Sequence, residues 1–215
     1  MIRFVCVIIG YIFGLFQTSY IYGKLHGIDI KEHGSGNAGT TNTLRVLGKK
    51  AGAIVLFGDI MKTGLAMVLV RILFREKYAD ILPLLSLYAG AGAILGHDFP
   101  FYLHFKGGKG IACTAGLIIF FHPYMILPEV ITFFGTFFAT HYVSLGSLLV
   151  NLVLIAEMII FGQMGIFGME QAALNEMYIV TVLLATLAFW GHRANIDRLI
   201  HKTERKTYLS KKNKE

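Results

Sequence analysis

Long apolar runs broken by short polar islands organise this chain. The runs are Ile2–Gly23, Ala51–Leu73, Ile81–Gly96, Ile111–His122, Tyr124–Gly146, Ser147–Gly162 and Ala173–Trp190. Crossing the hydrocarbon takes ~20 apolar residues in a helix. The runs starting at Ile2, Ala51 and Tyr124 meet that length outright, and the others are shorter. Read as one helix, Ile111–Gly146 would measure roughly 54 Å against a ~30 Å hydrocarbon core. It also contains His122-Pro123, a natural break because proline has no N–H for a continuing helix. Two spans are therefore expected there, and the pattern predicts an all-α integral membrane protein with seven transmembrane helices. The whole chain, 1–215, reads as a single membrane-embedded domain.

Between the runs lie three islands: Gly34–Arg45 (G-S-G-N-A-G-T-T-N-T-L-R), His97–Gly110 (H-D-F-P-F-Y-L-H-F-K-G-G-K-G) and His192–Lys206 (H-R-A-N-I-D-R-L-I-H-K-T-E-R-K). Seven spans would put all three on one side of the membrane, opposite the N-terminus. Six would separate the third from the first two. Composition agrees with the membrane reading: 55% of residues are hydrophobic, only 15% are charged, and the mean hydropathy is +0.61. A soluble domain carries roughly 25% charged residues.

Charge predicts the orientation. The islands' side holds Lys24, Lys31, Arg45, Lys49, Lys50, Lys106, Lys109, Arg193, Arg198, Lys202, Arg205, Lys206, Lys211, Lys212 and Lys214, and the other side only Arg3, Arg71, Arg75 and Lys77. Basic residues are retained in the cytoplasm, so the N-terminus is expected outside and the C-terminus inside. Ile2–Gly23 is too long for a signal-peptide core and has no A-x-A-like cleavage site, so it reads as the first span. The net charge of +7 follows from this bias and from anionic lipid. No nucleic-acid signature is present. Cys6 and Cys113 lack metal-ligand spacing and read as buried apolar side chains. Asp59 and Lys62, three apart on one helical face, read as a buried mutual pair. Glu157 sits deep in its run with no evident partner. The tail after Ser210, K-K-N-K-E, reads as frayed.

Each island suits an anion. Gly34–Gly39 matches G-x-G-x-x-G, but no strand precedes it, so a dinucleotide fold is excluded. Small residues still let backbone N–H groups approach an anion, a following helix presents its positive end, and Arg45 adds a planar fork. Lys106-Gly-Gly-Lys-Gly110 is not a Walker A loop, yet two lysines around paired glycines can hold phosphate. His192-Arg-Ala-Asn-Ile-Asp197 matches H-x-x-x-x-D, a pair found in acyl-CoA-dependent acyltransferases. That spacing turns about 140° on a helix, and Asp197 is expected to be incidental.

Taken together, S-G-N-A-G-T-T-N with Arg45, G-H-D-F-P with K-G-G-K-G, and H-R-A-N-I-D-R-L with Glu204 closely resemble the bacterial acyl-phosphate:glycerol-3-phosphate acyltransferases of the PlsY type. The resemblance covers essentially the whole chain and includes His141-Tyr-Val-Ser-Leu-Gly-Ser147, which is similar to that family's segment between the fifth and sixth spans. The sequence departs at His141, where arginine is common, at Thr63, where glycine often follows Lys62, and at Lys202, where glycine is common. None of these removes a residue assigned to chemistry.

The resemblance implies transfer of a fatty acyl group from acyl phosphate to the sn-1 hydroxyl of glycerol 3-phosphate, at the cytoplasmic face of the bacterial plasma membrane. The product would be lysophosphatidic acid. It implies a catalytic set of His97, Lys109, His192 and Asn195. The substrate-binding set would be Ser35, Gly36, Asn37, Gly39, Thr41, Asn42, Arg45, Lys106, Gly107, Gly108, Ser144 and Glu204. No cofactor, metal or nucleic acid is expected, and the partners are the two phosphate substrates and membrane lipid. No Ser-His-Asp or Cys-His set is evident, so direct attack by the glycerol hydroxyl is favoured over an acyl-enzyme. The base is left open between a histidine and substrate phosphate. Gly90, Gly92, Gly96, Gly110 and Gly116 would allow close helix approach around an apolar slot for the acyl chain. A transporter or channel for an organic phosphate is the alternative. Against it stand the absence of any repeat and the gathering of charge at one face instead of the midplane.

Overall fold

In the computed structural model, Met1–Tyr208 are described. Lys211, Lys212 and Lys214, expected on the cytoplasmic side, and the tail expected to fray lie outside the described residues. The described residues form ten α-helices: α1 (Ile2–Gly14), α2 (Thr18–Leu25), α3 (Thr40–Leu47), α4 (Lys49–Phe74), α5 (Leu82–Asp98), α6 (Ile111–Phe121), α7 (Ile126–Thr140), α8 (Val143–Gln163), α9 (Gln171–Gly191) and α10 (Arg193–Ile200).

Five segments are long and apolar enough to cross a membrane: Ile2–Leu25, Lys49–Phe74, Ala79–Leu103, Val143–Gln163 and Gln171–Gly191. The other two apolar runs form shorter helices. α6 has 11 residues, stopped by His122-Pro123, and α7 has 15. The apolar runs put a boundary at Gly146, but the break falls earlier, at the start of the His141–Ser147 segment expected between these two helices. α7 ends at Thr140, His141 takes a left-handed φ of 63°, and α8 already starts at Val143. Hydropathy continues through Tyr142-Val143, so the break is a backbone event the apolar pattern does not mark.

The first span is interrupted between α1 and α2, which leaves backbone carbonyls without helical partners. Gln17, fully buried, takes this role up: its Nε2 donates to Gly14 O at 3.2 Å, Gly96 O at 3.2 Å and His97 O at 3.0 Å. An interrupted helix in a membrane needs such a substitute partner. α1 and α5 are pressed together by small residues. A Cβ at Gly10 would lie 1.9 Å from Ala89 O, and one at Gly92 would lie 2.1 Å from Val7 O. Van der Waals contact at that range is a main source of helix association in lipid.

Large apolar side chains such as Phe57, Leu65, Ile131, Phe138, Ile179 and Leu183 face outward. The charged side chains inside the bundle are of two kinds, paired and unpaired. Asp59 and Lys62 form the expected buried pair, with Oδ1 to Nζ at 2.8 Å. Glu157 of α8 lies near an acid that was not foreseen, Glu129 of α7; both are at most 5% exposed, and neither carboxylate has a hydrogen-bond partner among the described residues.

Two facts fix how the elements place the islands. Arg3 at the start of α1 bonds Glu176 near the start of α9, and Glu176 also accepts from Tyr88 Oη at 2.7 Å. At the opposite ends of these helices the three islands come together.

Candidate active site

The first island is a folded turn ahead of α3. Gly36 adopts φ 71°, a left-handed conformation that glycine takes without a steric cost. Asn42 is 2% exposed and fully engaged: Oδ1 accepts from Ser35 N at 2.8 Å, while Nδ2 donates to Ile30 O at 3.1 Å and His33 O at 3.0 Å. Asn42, expected among substrate-binding residues, therefore folds the loop. Ser35 remains exposed, and Asn37 and Thr41 are half-buried. Gly39 precedes α3 in an extended conformation and supplies no side-chain cap, so the first N–H groups of α3 stay available. Thr40 Oγ1 is buried beside them without a partner among the described residues. Arg45 lies one turn after Thr41 on the same helical face. Its Nη2 donates to Thr207 Oγ1 at 2.7 Å and reaches Arg205 O at 3.4 Å.

The second island is tied back onto the end of α5. Gly107 N donates to Asp98 O at 2.9 Å and Gly108 N to His97 O at 3.1 Å. Gly110, at φ 71°, then turns the chain into α6. A Cβ at Gly107 would sit 2.0 Å from His97 O, and one at Gly108 would sit 1.9 Å from His97 Nε2. Both positions thus demand glycine for this close approach. Lys106 is exposed, with no side-chain partner among the described residues. Lys109 points inward and donates to Asn195 Oδ1.

The third island supplies the hub. Asn195 Nδ2 donates to Glu204 Oε1 at 2.7 Å, which also accepts from Ser144 Oγ at 2.9 Å; Oε2 accepts from Arg198 Nε at 2.7 Å. Ser144, Asn195 and Arg198 thus meet around one carboxylate, and Lys109 joins them through Asn195. Thr207 N donates to His141 O at 2.9 Å, which closes the tail over the α7–α8 break. Asp197 is exposed and approaches His201 at 3.3 Å, away from His192.

Electrostatics here favour an anion. Burial lowers the Lys109 ammonium below its ordinary value, and the nearby Arg198 charge adds to this. The Arg45 guanidinium is likewise lowered by burial, against the attraction of Glu204. Burial would raise the Glu204 carboxyl, but hydrogen bonds from Asn195, Arg198 and Ser144 outweigh it and hold the group below the usual carboxylate value. Several mutually repelling cations thus share one carboxylate. A bound phosphate would relieve that repulsion.

The two histidines differ. His192 is 4% exposed, and its Nδ1 lies 2.8 Å from Ala188 O, an obligate acceptor. Nδ1 therefore carries the proton, and Nε2 presents a lone pair. Burial pushes this imidazole down to about 4, so it is neutral near pH 7. His97 is 2% exposed and lies beneath the glycine pair, its Nδ1 2.8 Å from Lys62 Nζ. The structure does not bring His97 to the Lys109–Asn195–Glu204 cluster. Thr207 and Arg198 are members of the cluster that the motifs did not single out. Thr207 falls one residue past the third island. Arg198 lies within it, and its signal was the six-residue reach to Glu204.

The comparisons fit this geometry. The family model described as glycerol-3-phosphate acyltransferase matches residues 4–202. Glycerol-3-phosphate acyltransferase 2 of Bacillus cereus is 41% identical over 209 residues, covering 96% of each chain. Glycerol-3-phosphate acyltransferase of Bacillus subtilis is 40% identical over 201 residues, covering 93% of this chain and 95% of that one. The crystal structure of PlsY (YgiH), an integral membrane glycerol 3-phosphate acyltransferase, in its glycerol 3-phosphate form superposes with a TM-score of 0.81 at 28% identity, over 97% of this chain and 96% of that one. The lysophosphatidic acid form of that protein gives a TM-score of 0.80. This chain belongs to the glycerol-3-phosphate acyltransferase family.

Proposed function

We propose that this protein transfers a fatty acyl group from acyl phosphate to the sn-1 hydroxyl of glycerol 3-phosphate, giving lysophosphatidic acid and phosphate for phospholipid synthesis. The observation that carries the reading is the gathering of Arg45, Lys109 and Arg198 near a single carboxylate, Glu204, which Arg198 bonds directly and Lys109 reaches through Asn195, within a chain of this family.

The chemistry needs positioning and charge stabilisation more than a strong nucleophile, because phosphate is already a good leaving group. Lys109 uses one of its three donors on Asn195 and keeps the others for phosphate oxygens. Asn195 has its oxygen on Lys109 and one amide hydrogen on Glu204, so it orients the lysine. Arg45 is held by Thr207, and the open N–H groups at the start of α3 add backbone donors. The glycerol hydroxyl oxygen attacks the acyl carbonyl carbon, the acyl carbon–oxygen bond to phosphate breaks, and phosphate leaves with the electron pair. His192 Nε2 accepts a hydrogen bond from the hydroxyl and aims it. A neutral imidazole held near 4 is a poor proton sink, so the departing phosphate takes the proton.

An apolar groove of about 540 Å³ between α1, α5 and α9, lined by Val7, Ala91, Leu95, Leu183 and Leu187, suits the acyl chain. Leu187 lies five residues before His192, roughly 7 Å along the axis of α9.

The membrane placement follows from connectivity. Lys109 precedes α6, Ser144 follows α7, and both reach the Asn195–Glu204 cluster. That supports α6 and α7 as an outgoing and returning pair, giving seven crossings despite their short lengths. The Arg3–Glu176 bond supports an N-terminus on the face opposite the site, hence outside. Arg193 stacks on Trp190 with 4.5 Å to the ring centroid, as suits the water interface at the end of α9. The site then faces the cytoplasm at the bacterial inner membrane.

Purified protein supplied with palmitoyl phosphate and glycerol 3-phosphate should form lysophosphatidic acid and release phosphate stoichiometrically. Comparable turnover with palmitoyl-CoA, after hydrolysis is excluded, would refute the donor assignment.

A further inference from the structure

Lys62, His97, Asp59 and Cys113 form a buried cluster that the proposed chemistry does not use. The Asp59, His97 and Cys113 ligand atoms all lie within 4.8 Å of one another, a set that could in principle take a metal ion. A cation already stands on two of them. Lys62 Nζ is 2.8 Å from Asp59 Oδ1, 2.8 Å from His97 Nδ1 and 2.9 Å from Phe16 O. A lysine ammonium has three donors and no acceptor, and here each donor meets one partner.

This settles the tautomer of His97. Nδ1 accepts from Lys62, so the ring proton sits on Nε2, the reverse of His192. The Nε2 edge is the one pressed against Gly108. The His97 carbonyl, fixed by Gln17, accepts from Gly108 N, and the next residue carries the ammonium that reaches Asn195. Asp59 is itself braced by Thr18 Oγ1 at 3.0 Å. A continuous chain of contacts therefore runs from the bundle interior to the site: Asp59, Lys62, His97, Gly108, Lys109.

We propose that Lys62 and His97 are positioning residues: the buried ammonium locks the His97 ring, and the ring with its carbonyl sets where the glycine loop presents Lys109. The inference rests on the proposed role of Lys109, and neither residue touches substrate.

The test uses the full chain in detergent. With isotope-labelled histidine nitrogens, and His97→Asn to assign the signal, wild-type His97 should show protonated Nε2 and bare Nδ1. Lys62→Met should abolish that pattern. Because Lys62→Met leaves Asp59 unpaired, Asp59→Asn/Lys62→Met is the variant for kinetics, removing both charges together. In its folded fraction the KM for glycerol 3-phosphate or acyl phosphate should rise about fivefold or more, since small displacements of a binding group are costly. His97→Asn keeps an acceptor near Nδ1 and removes the edge under Gly108, so it should raise KM likewise with little loss of thermal stability. A merely structural cluster would lower the folded fraction, and so apparent kcat, while leaving KM untouched.

KM values within about twofold of wild type for both substrates, in both variants, would overturn the proposal. So would a His97 proton on Nδ1, or stoichiometric zinc lost on Cys113→Ala. Failure of the wild-type protein to acylate glycerol 3-phosphate would count against the proposed function instead, and the histidine spectrum would still decide the Lys62–His97 lock.

Discussion

Arg45 and Thr207, 162 positions apart, are joined by a 2.7 Å hydrogen bond from guanidinium to hydroxyl. Thr207 is 1% exposed, and its own N–H is held by His141 O. The α3 arginine is therefore aimed by the last described stretch of the chain.

Thr207→Val keeps the shape and removes the hydroxyl. It should lower kcat/KM by several-fold, since a hydrogen bond to a charged group is worth about 1.5–3 kcal/mol and Arg45 retains its second contact to Arg205 O. Arg45→Ala should cost more, roughly tenfold to more than a hundredfold. A double-mutant cycle between the two should give a coupling on the order of 1 kcal/mol. Strict additivity in kcat/KM would mean that Thr207 does not orient Arg45.

The two lysines of the glycine loop should separate cleanly. Lys109→Ala removes a charge-assisted contact of about 1.5–3 kcal/mol, hence about tenfold to more than a hundredfold in rate or affinity. Lys106 is exposed, so Lys106→Ala should change kcat/KM by no more than about threefold. Expression and thermal stability in detergent should be preserved in both. Equal losses would show that the loop supplies only general positive charge.

The site was legible in the sequence wherever its signal was local. Glycines at 36, 107 and 108 and the residues flanking them announce tight loops, and the Asp59–Lys62 spacing announces a pair on one helical face. What no local pattern carries is contact across the bundle. His97 and Lys62 are 35 positions apart: His97 alone reads as a polar residue at the edge of an apolar run, and Lys62 as the partner of Asp59 only. Hence His97 looked like a candidate base. Asn42 looked like a free donor because its three bonds are made by loop folding, which spacing does not encode. Hydropathy alone puts the α7–α8 boundary too late for a related reason: His141 breaks the helix through its backbone conformation, while the apolar run continues.

Stability should report on His192. Its imidazole stands near 4 in the folded protein and at its ordinary 6.5 when unfolded. Between these values the unfolded chain binds more protons, so stability is present above about 6.5 and is lost as pH falls towards 4, by on the order of 1–3 kcal/mol. His192→Asn can still donate to Ala188 O but does not titrate. Thermal unfolding in detergent should therefore show a shallower decline between pH 6.5 and 4 for this variant. An unchanged slope would assign the acid sensitivity to other groups.

Topology follows from the way the site is assembled. Single cysteines introduced at Lys49, Lys77 and Gln171 place markers at the start of α4, after α4 and at the start of α9. Lys49 follows α3, which carries Arg45 into the site, whereas Gln171 lies near Glu176, which bonds Arg3 at the far end of the bundle. In intact cells an impermeant thiol reagent should label positions 77 and 171 and spare 49 until the membrane is opened. Cys6 and Cys113 are buried and should remain silent, and the unsubstituted protein provides that control. Position 211 should behave like 49, because α9 separates Gln171 from the third island. Labelling of 211 in intact cells would require an even number of crossings. Ser144, Lys109 and Asn195 could not then share one face of the membrane, and the cluster around Glu204 would have no means of forming.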